Sequence, residues 1–137
     1  MAKDLYHYHV KAALQKDGWL ITHDGYRLGD EEIEFEVDLG AEKLIAAAKG
    51  LQKILVEVKS FQGQSKTYDF HQALGQFNNY YLALEEQEPD RELYLAVPDT
   101  AYENFFQKAL IQKSISRYQV KLLVFDPLTQ EIVLWKE

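Results

Sequence analysis

The 137-residue sequence predicts an α+β domain built on a mixed sheet, and three observations carry that prediction. In the run EIEFEVDL, Ile33, Phe35, Val37 and Leu39 alternate strictly with Glu32, Glu34, Glu36 and Asp38. Period two is the mark of a half-buried strand. Residues 67–86 place Phe70, Leu74, Phe77, Tyr81 and Leu84 at spacings of four, three, four and three, which is an apolar helical stripe. Finally, the elements run helix, about three strands, helix, strand, helix and a closing hairpin. This order lacks the regular strand–helix alternation of a doubly wound α/β protein.

Taken in chain order, residues 4–16 read as a helix, with Leu5, Val10, Ala13 and Leu14 on one face and Asp17-Gly18 as the stop. WLIT follows as a short strand. The segment AEKLIAAAKG suits either a helix or the second arm of an extended hairpin. If the chain reverses near Ala48 and Gly50, antiparallel pairing sets the neighbourhood of Asp38 to Gly40 opposite Glu57 to Lys59. The compact run ELYLAVP reads as a buried strand ended by Pro98. A third helix is expected from DTAYENFF, with Thr100 and Glu103 as a capping box and Tyr102, Phe105, Phe106, Ala109 and Leu110 on its buried side. VKLLVFDPLTQEIVLWKE reads as two strands about the Asp126-Pro127 turn.

The length suits one domain over residues 1–137. Without cysteine, disulfides, zinc knuckles and thiol catalysis drop out. No signal-peptide core or membrane-spanning run is legible, so a cytoplasmic protein with no membrane partner is the expectation. A formal net charge of -7 argues against a protein that merely coats nucleic acid. Charge is uneven, however: GDEEIEFEVD is acidic, while Lys108, Lys113, Arg117 and Lys121 form a basic stretch without an intervening acid. Its plain reading is a solvated surface.

The stretch ILVEVKSF holds the chemistry. Glu57 and Lys59 share one face of a strand because side chains alternate. With Asp38 opposite, two carboxylates and the Val58 carbonyl offer the hard oxygen ligands that Mg²⁺ takes, and a lysine beside them can orient or deprotonate water. An ordinary amphipathic strand with one wet face explains the same letters. On the following helix, Gln72, Gln76 and Tyr80 recur every four residues as a polar stripe, able to bond phosphate, sugar or a catalytic group, or simply to face water. His7, His9, His23 and His71 lack the spacing of a helical zinc pair and suit isolated surface or hydrogen-bonding roles.

Asp38, Glu57-Val58-Lys59 and Gln76-Phe77-Asn78-Asn79-Tyr80 together resemble the PD-(D/E)xK nuclease superfamily, in its branch with a Gln-xxx-Tyr motif. KDGWLITHDG, VDLGAEKLIAA, VEVKSF, ALGQFNNYY, ELYLAVP and LLVFDP are similar to the XisH family, the fdxN-element excision controlling factors of cyanobacteria. The resemblance spans nearly the whole chain. It implies a restriction-endonuclease-like αβββαβ core, with a mixed central sheet flanked by helices. It also implies a part in programmed excision of a DNA element during heterocyst development, alongside a companion factor, XisI, and a site-specific recombinase. By that pattern Asp38 and Glu57, with Val58, bind Mg²⁺ or Mn²⁺, Lys59 activates water, and Gln76 and Tyr80 support the site or the DNA. Two departures stand out. Val37 occupies the motif's proline position, and the first helix lacks the glutamate of many relatives, Asp4 being its nearest substitute.

Two functions follow from this reading. One is a metal-dependent DNA phosphodiesterase. The other is a non-catalytic accessory protein that binds DNA or docks on the companion factor and recombinase. The acidic strand face and the aromatic third helix each offer an interface, which also allows a homodimer.

Overall fold

The computed structural model describes residues 3–45 and 50–137. Its elements are α1 (His7–Lys16), β1 (Leu20–Gly29), β2 (Glu34–Ile45), β3 (Gly50–Val58), α2 (Lys66–Gln87), β4 (Arg91–Pro98), α3 (Asp99–Asn104), α4 (Ala109–Arg117), β5 (Leu122–Asp126) and β6 (Glu131–Lys136). The six strands form one mixed sheet in sequence order. β1–β2, β2–β3 and β5–β6 pair antiparallel, while β3–β4 and β4–β5 pair parallel. Parallel pairs need long crossovers, which α2 and the α3–α4 segment supply.

Each sheet face carries its own core. On one, Leu55, Leu95 and Val124 meet Phe70, Phe77, Leu84, Phe106 and Ile115 of the crossover segments. On the other, Val10 and Leu14 of α1 cover Leu39, Ile54, Val56, Val58 and Phe125, with Trp19 beside them. β3 lies between β2 and β4 under both layers, so Ile54, Leu55, Val56, Glu57 and Val58 are all buried. A one-sided amphipathic strand does not describe it: the strand has no wet face at Glu57.

The expected α+β class and mixed sheet are found, with several differences in detail. Helix α1 begins at His7, because Asp4 first closes a turn in which its Oδ1 accepts from Tyr6 N (2.9 Å) and its carbonyl from His7 N (3.0 Å). β1 is much longer than WLIT. Residues 41–45 complete β2 as the hairpin arm, and the expected reversal at Ala48 falls outside the described residues. Strict alternation in β2 also fails. Phe35 and Val37 face α2, whereas Leu39 and Ala41 face α1. The strand turns over at Asp38, where pairing with β3 ends at Leu39 opposite Val56 and only β1 remains alongside. A two-stranded ribbon twists more strongly than a sheet interior.

In α2 the stripe shifts by one position near its end: Tyr80 is buried and Tyr81 is 41% exposed. The third helix divides into α3 and α4. Phe105 and Phe106 are adjacent yet both buried against Phe61 and Phe70, which a continuing helix cannot arrange at about 100° per residue. Leu110, expected inside, is 76% exposed, and Ala109 is exposed too. The Thr100–Glu103 capping box does not form; Pro98 is the N-cap and the Asp99 side chain accepts from Thr100 N (2.8 Å).

Truncating Phe106, which is 0% exposed at the centre of this aromatic group, is expected to cost about 3–5 kcal/mol in urea unfolding. Leu110→Ala, on the exposed side of α4, should cost under about 0.5 kcal/mol.

Candidate functional site

The site forms where β2 parts from β3. Opposite Val56 the backbone ladder stops, and side chains take over its hydrogen bonds. Asp38 Oδ2 accepts from Val58 N (2.8 Å), and Glu57 Oε1 accepts from Asp38 N (3.2 Å). In an extended residue N–H and C=O point the same way. The Val58 carbonyl therefore faces this gap too, while Lys59 N bonds Ala96 O of β4 (3.0 Å) on the other side. Asp38, Glu57 and Val58, predicted as one set, are brought to one edge.

Burial and mutual repulsion govern the two acids. Glu57 is 7% exposed, and desolvation followed by the Asp38 charge pushes its carboxyl up to about 9. Asp38 is raised as well, chiefly by desolvation, against a lowering contribution from the Val58 N–H. Two carboxylates this close in a low-dielectric pocket cannot both stay ionised without a cation. The pair thus retains a proton through neutral pH. Tyr80 reaches toward the same place: burial first, then the Glu57 and Asp38 charges, raise its phenol, which stays protonated and able to donate.

Lys59 follows two residues after Glu57 and its Nζ donates to Gln72 Oε1 (2.5 Å) on α2. Gln72 thereby aims the lysine, a role that spacing alone did not assign. Gln76, one turn on, keeps a buried Oε1 with no hydrogen-bond partner. The polar stripe is solvated at Gln72, which is exposed, but not toward its other end, where Gln76 is half-buried and Tyr80 buried.

His7, Asp24 and Asp4 complete the surroundings. His7 is 1% exposed; its Nε2 lies 2.6 Å from Asp24 Oδ1 and its Nδ1 4.0 Å from Asp38 Oδ1. Partial burial works to raise Asp24, but hydrogen bonds from Lys11, His7 and Lys3 outweigh it and hold the carboxyl at about 2. Asp4 Oδ2 accepts from Ser60 N (3.0 Å), tying the start of α1 to the end of β3, and its charge adds to the upward push on Asp38. Sequence reading passed over His7 as an isolated histidine, because nothing local links it to Asp24 or Asp38. Only its place on the buried face of α1, beside Val10 and Leu14, hinted at it.

Among the described residues no three His, Asp or Glu side chains already converge on a single cation position. Asp38, Glu57 and the Val58 carbonyl nevertheless suit a hard divalent cation, which needs only one or two protein carboxylates and keeps several waters. A cation between the two acids would replace the retained proton.

Fold and site together define an α+β protein with a buried carboxylate, Glu57, near the end of a central strand, a half-buried one, Asp38, on the neighbouring strand, and a lysine two residues after Glu57. The chain belongs to the XisH family, whose XisH protein description matches residues 1–133. It is similar to the crystal structure of an XisH family protein from Nostoc punctiforme PCC 73102, with 42% identity, TM-score 0.88 and coverage of 98% of this chain and 100% of that one. It is similar also to an fdxN element excision controlling factor protein from Anabaena variabilis, with 46% identity, TM-score 0.88 and coverage of 96% and 98%. Among curated proteins, none matches.

Proposed function

We propose that this protein is an excision controlling factor acting in a programmed DNA rearrangement, and that it carries a divalent-cation-dependent phosphodiesterase site of PD-(D/E)xK type. The observation that carries the reading is the Asp38–Glu57 pair, joined through backbone bonds at one strand edge with Lys59 beside it. Further support comes from the controlling-factor relative in Anabaena variabilis and from the element order helix, three strands, helix, strand at the start of the chain. No helix among the described residues is long and apolar enough to cross a membrane. We place the protein in the cytoplasm, working with DNA, an XisI-type companion and a site-specific recombinase.

Asp38, Glu57 and the Val58 carbonyl would hold Mg²⁺ or Mn²⁺. The bound cation supplies charge neutralisation at a phosphate and lowers the pKa of water. Lys59, held by Gln72, directs its ammonium toward the attacking water or the charge building on phosphate. Tyr80 and the free Gln76 oxygen orient groups around the acids. Exposed Lys108, Lys113 and Arg117 provide phosphate contacts on a chain that is otherwise acidic.

The second reading is the accessory protein, which cuts nothing and uses the same fold to bind DNA or its partners. It is favoured by the net charge of -7, unusual for a protein that must grip a DNA backbone alone. Purified protein with Mg²⁺ or Mn²⁺ should nick supercoiled or branched DNA. Lys59→Ala should lower the rate by about 100-fold or more, with stability changed by under about 0.5 kcal/mol because the side chain is only half-buried. Absence of cleavage by either protein would establish the accessory reading, and equal cleavage by both would trace the activity to a contaminant.

A further inference from the structure

We infer that the groove between the β1–β2 turn and the second half of α2 is a docking site for a protein partner, and that it takes an amphipathic helix whose apolar stripe is flanked by lysine or arginine. The inference stands apart from the cation site and does not require that DNA be cut.

The groove holds about 490 Å³ and has two walls. Leu82, Ala83 and Glu86 come from one face of α2, and Asp30, Ile33 and Phe35 from the turn and the start of β2. Ile33 is 57% and Leu82 62% exposed, while half-buried Phe35 and Ala83 pack on the core. Apolar side chains that gather in one exposed concavity, rather than scatter singly, mark a binding surface.

The walls are fixed before anything binds. Gln87 bridges them: its Oε1 accepts from Gly29 N (3.1 Å) and its Nε2 donates to the Arg27 carbonyl (3.1 Å). Asp30 N donates to the Ile33 carbonyl (2.9 Å), and Asp30 Oδ1 accepts from Glu32 N (2.9 Å) and Ile33 N (3.0 Å), so the turn sets Ile33 in place. Gly29 makes that turn at a φ of +125°, and a Cβ there would stand 2.2 Å from the Ile33 carbonyl oxygen. A preformed surface loses little entropy on binding.

Charge selects the occupant. Among the described residues no lysine or arginine lines the groove, and its charged residues, Asp30 and Glu86, are both acids. Glu31, Glu32 and Glu34 flank Ile33 along the chain. All five acids are exposed, and only Glu34 is ion paired, with Arg27 at 3.9 Å. Such a rim repels DNA phosphates and anionic lipid headgroups and attracts cations. A helix with an apolar stripe bordered by lysine and arginine matches the walls and the rim together, in the helix-in-groove mode of recognition.

The test titrates the whole chain into a labelled synthetic helix of about 14 residues, with leucine along one stripe and lysine on either side, at near-physiological ionic strength. Wild type should bind with a Kd of about 10 µM or tighter, read by fluorescence anisotropy. Leu82→Glu adds an acid but removes a wall, so it should weaken binding by at least about tenfold, whereas unspecific attraction to an acidic protein is unchanged or strengthened by it. Ile33→Asp should behave in the same way. Both positions are exposed, and circular dichroism checks that the variants fold. Amide hydrogen exchange on the wild type gives a second measurement that needs no variant: the peptide should protect residues 29–35 and 79–87. Failure of the wild type to bind, equal binding by Leu82→Glu, or protection confined to other segments overturns the inference. Sedimentation in which the wild type alone self-associates and Leu82→Glu does not also overturns it, since the occupant is then a second copy of this chain.

Discussion

Glu57→Gln is expected to melt about 5–10 °C higher than the wild type at pH 8, a gain of about 2 kcal/mol. An unfolded glutamate releases its proton near 4.5, whereas in the folded protein Glu57 holds it up to about 9. Between those values the folded state binds the extra proton, so stability is greatest below 4.5 and is lost as pH rises toward 9, by at most about 1.4 kcal/mol per pH unit. Glutamine removes this dependence. Its Oε1 can still accept from Asp38 N, as Glu57 does at 3.2 Å, and its amide N–H can donate to the Asp38 carboxylate. Melting curves from pH 5 to pH 9 should therefore slope downward for the wild type and lie nearly flat for the variant. Saturating Mg²⁺ or Mn²⁺ should raise the wild-type curve most at high pH and leave Glu57→Gln almost unmoved, since ligand binding stabilises only a state that binds. A wild-type curve that is flat over this range would show that the two acids are not coupled as the geometry requires.

Arg91→Ala should be the more damaging substitution, with a loss of about 3–5 kcal/mol in urea unfolding at pH 7. Arg91 is 5% exposed where β4 begins. Its Nε donates to Glu88 Oε2 (2.9 Å), Nη1 to the Ile54 carbonyl (3.2 Å) and Nη2 to Glu42 Oε2 (3.5 Å), while the guanidinium lies 5.0 Å from the Tyr26 ring centroid. One side chain thus ties the end of α2 to β1, β2 and β3. Alanine leaves Glu88, which also accepts from the Tyr26 hydroxyl, with only the looser Lys53 pair (3.7 Å) in place of the guanidinium. Lysine should recover under half of the loss, because a single ammonium cannot reproduce the planar fork. The hydrogen bonds from Arg91 and then Tyr26 hold Glu88 below the ordinary carboxylate range. Their contribution is present above the unfolded value of 4.5 and disappears as pH falls through the lowered one, so the difference between wild type and Arg91→Ala should shrink in acid.

Periodicity was a good guide wherever one physical demand acted on a segment. The Phe70–Phe77–Leu84 face of α2 is buried as the spacing requires, and the closing hairpin turns at Asp126, whose side chain accepts from Leu128 N (2.8 Å). The β2–β3 hairpin pairing was also expected, but its register falls two residues from the expected one, with Leu39 opposite Val56 and Gly40 opposite Leu55. Periodicity misled where two demands competed. Phe105 and Phe106 are consecutive, and joint burial in one aromatic group broke the helix that the flanking residues favoured. At Asp38 the loss of a neighbouring strand let β2 twist, so Val37 and Leu39 face opposite layers despite sharing a parity. Tyr80 and Tyr81 exchanged places because the last turns of α2 pack on Phe35, whose ring centroid is 5.5 Å from that of Tyr80.

For the site, the chemistry was legible in residue types and the environment was not. Local spacing by itself determined that Glu57 and Lys59 share a strand face and that Gln72, Gln76 and Tyr80 line one side of the next helix, while Asp38 came near them only on the condition of a hairpin between β2 and β3. Each of these follows from backbone geometry within a strand, a hairpin or a helix. Only the tertiary structure decided that β3 is covered on both faces, which turns Glu57 from a wet charge into a buried acid that keeps its proton up to about 9. It alone brought His7 to Asp38 from a helix on the other sheet face. Burial and long-range pairing depend on which layers close over a strand, and desolvation, the largest influence on both acids, exists only once those layers are in place.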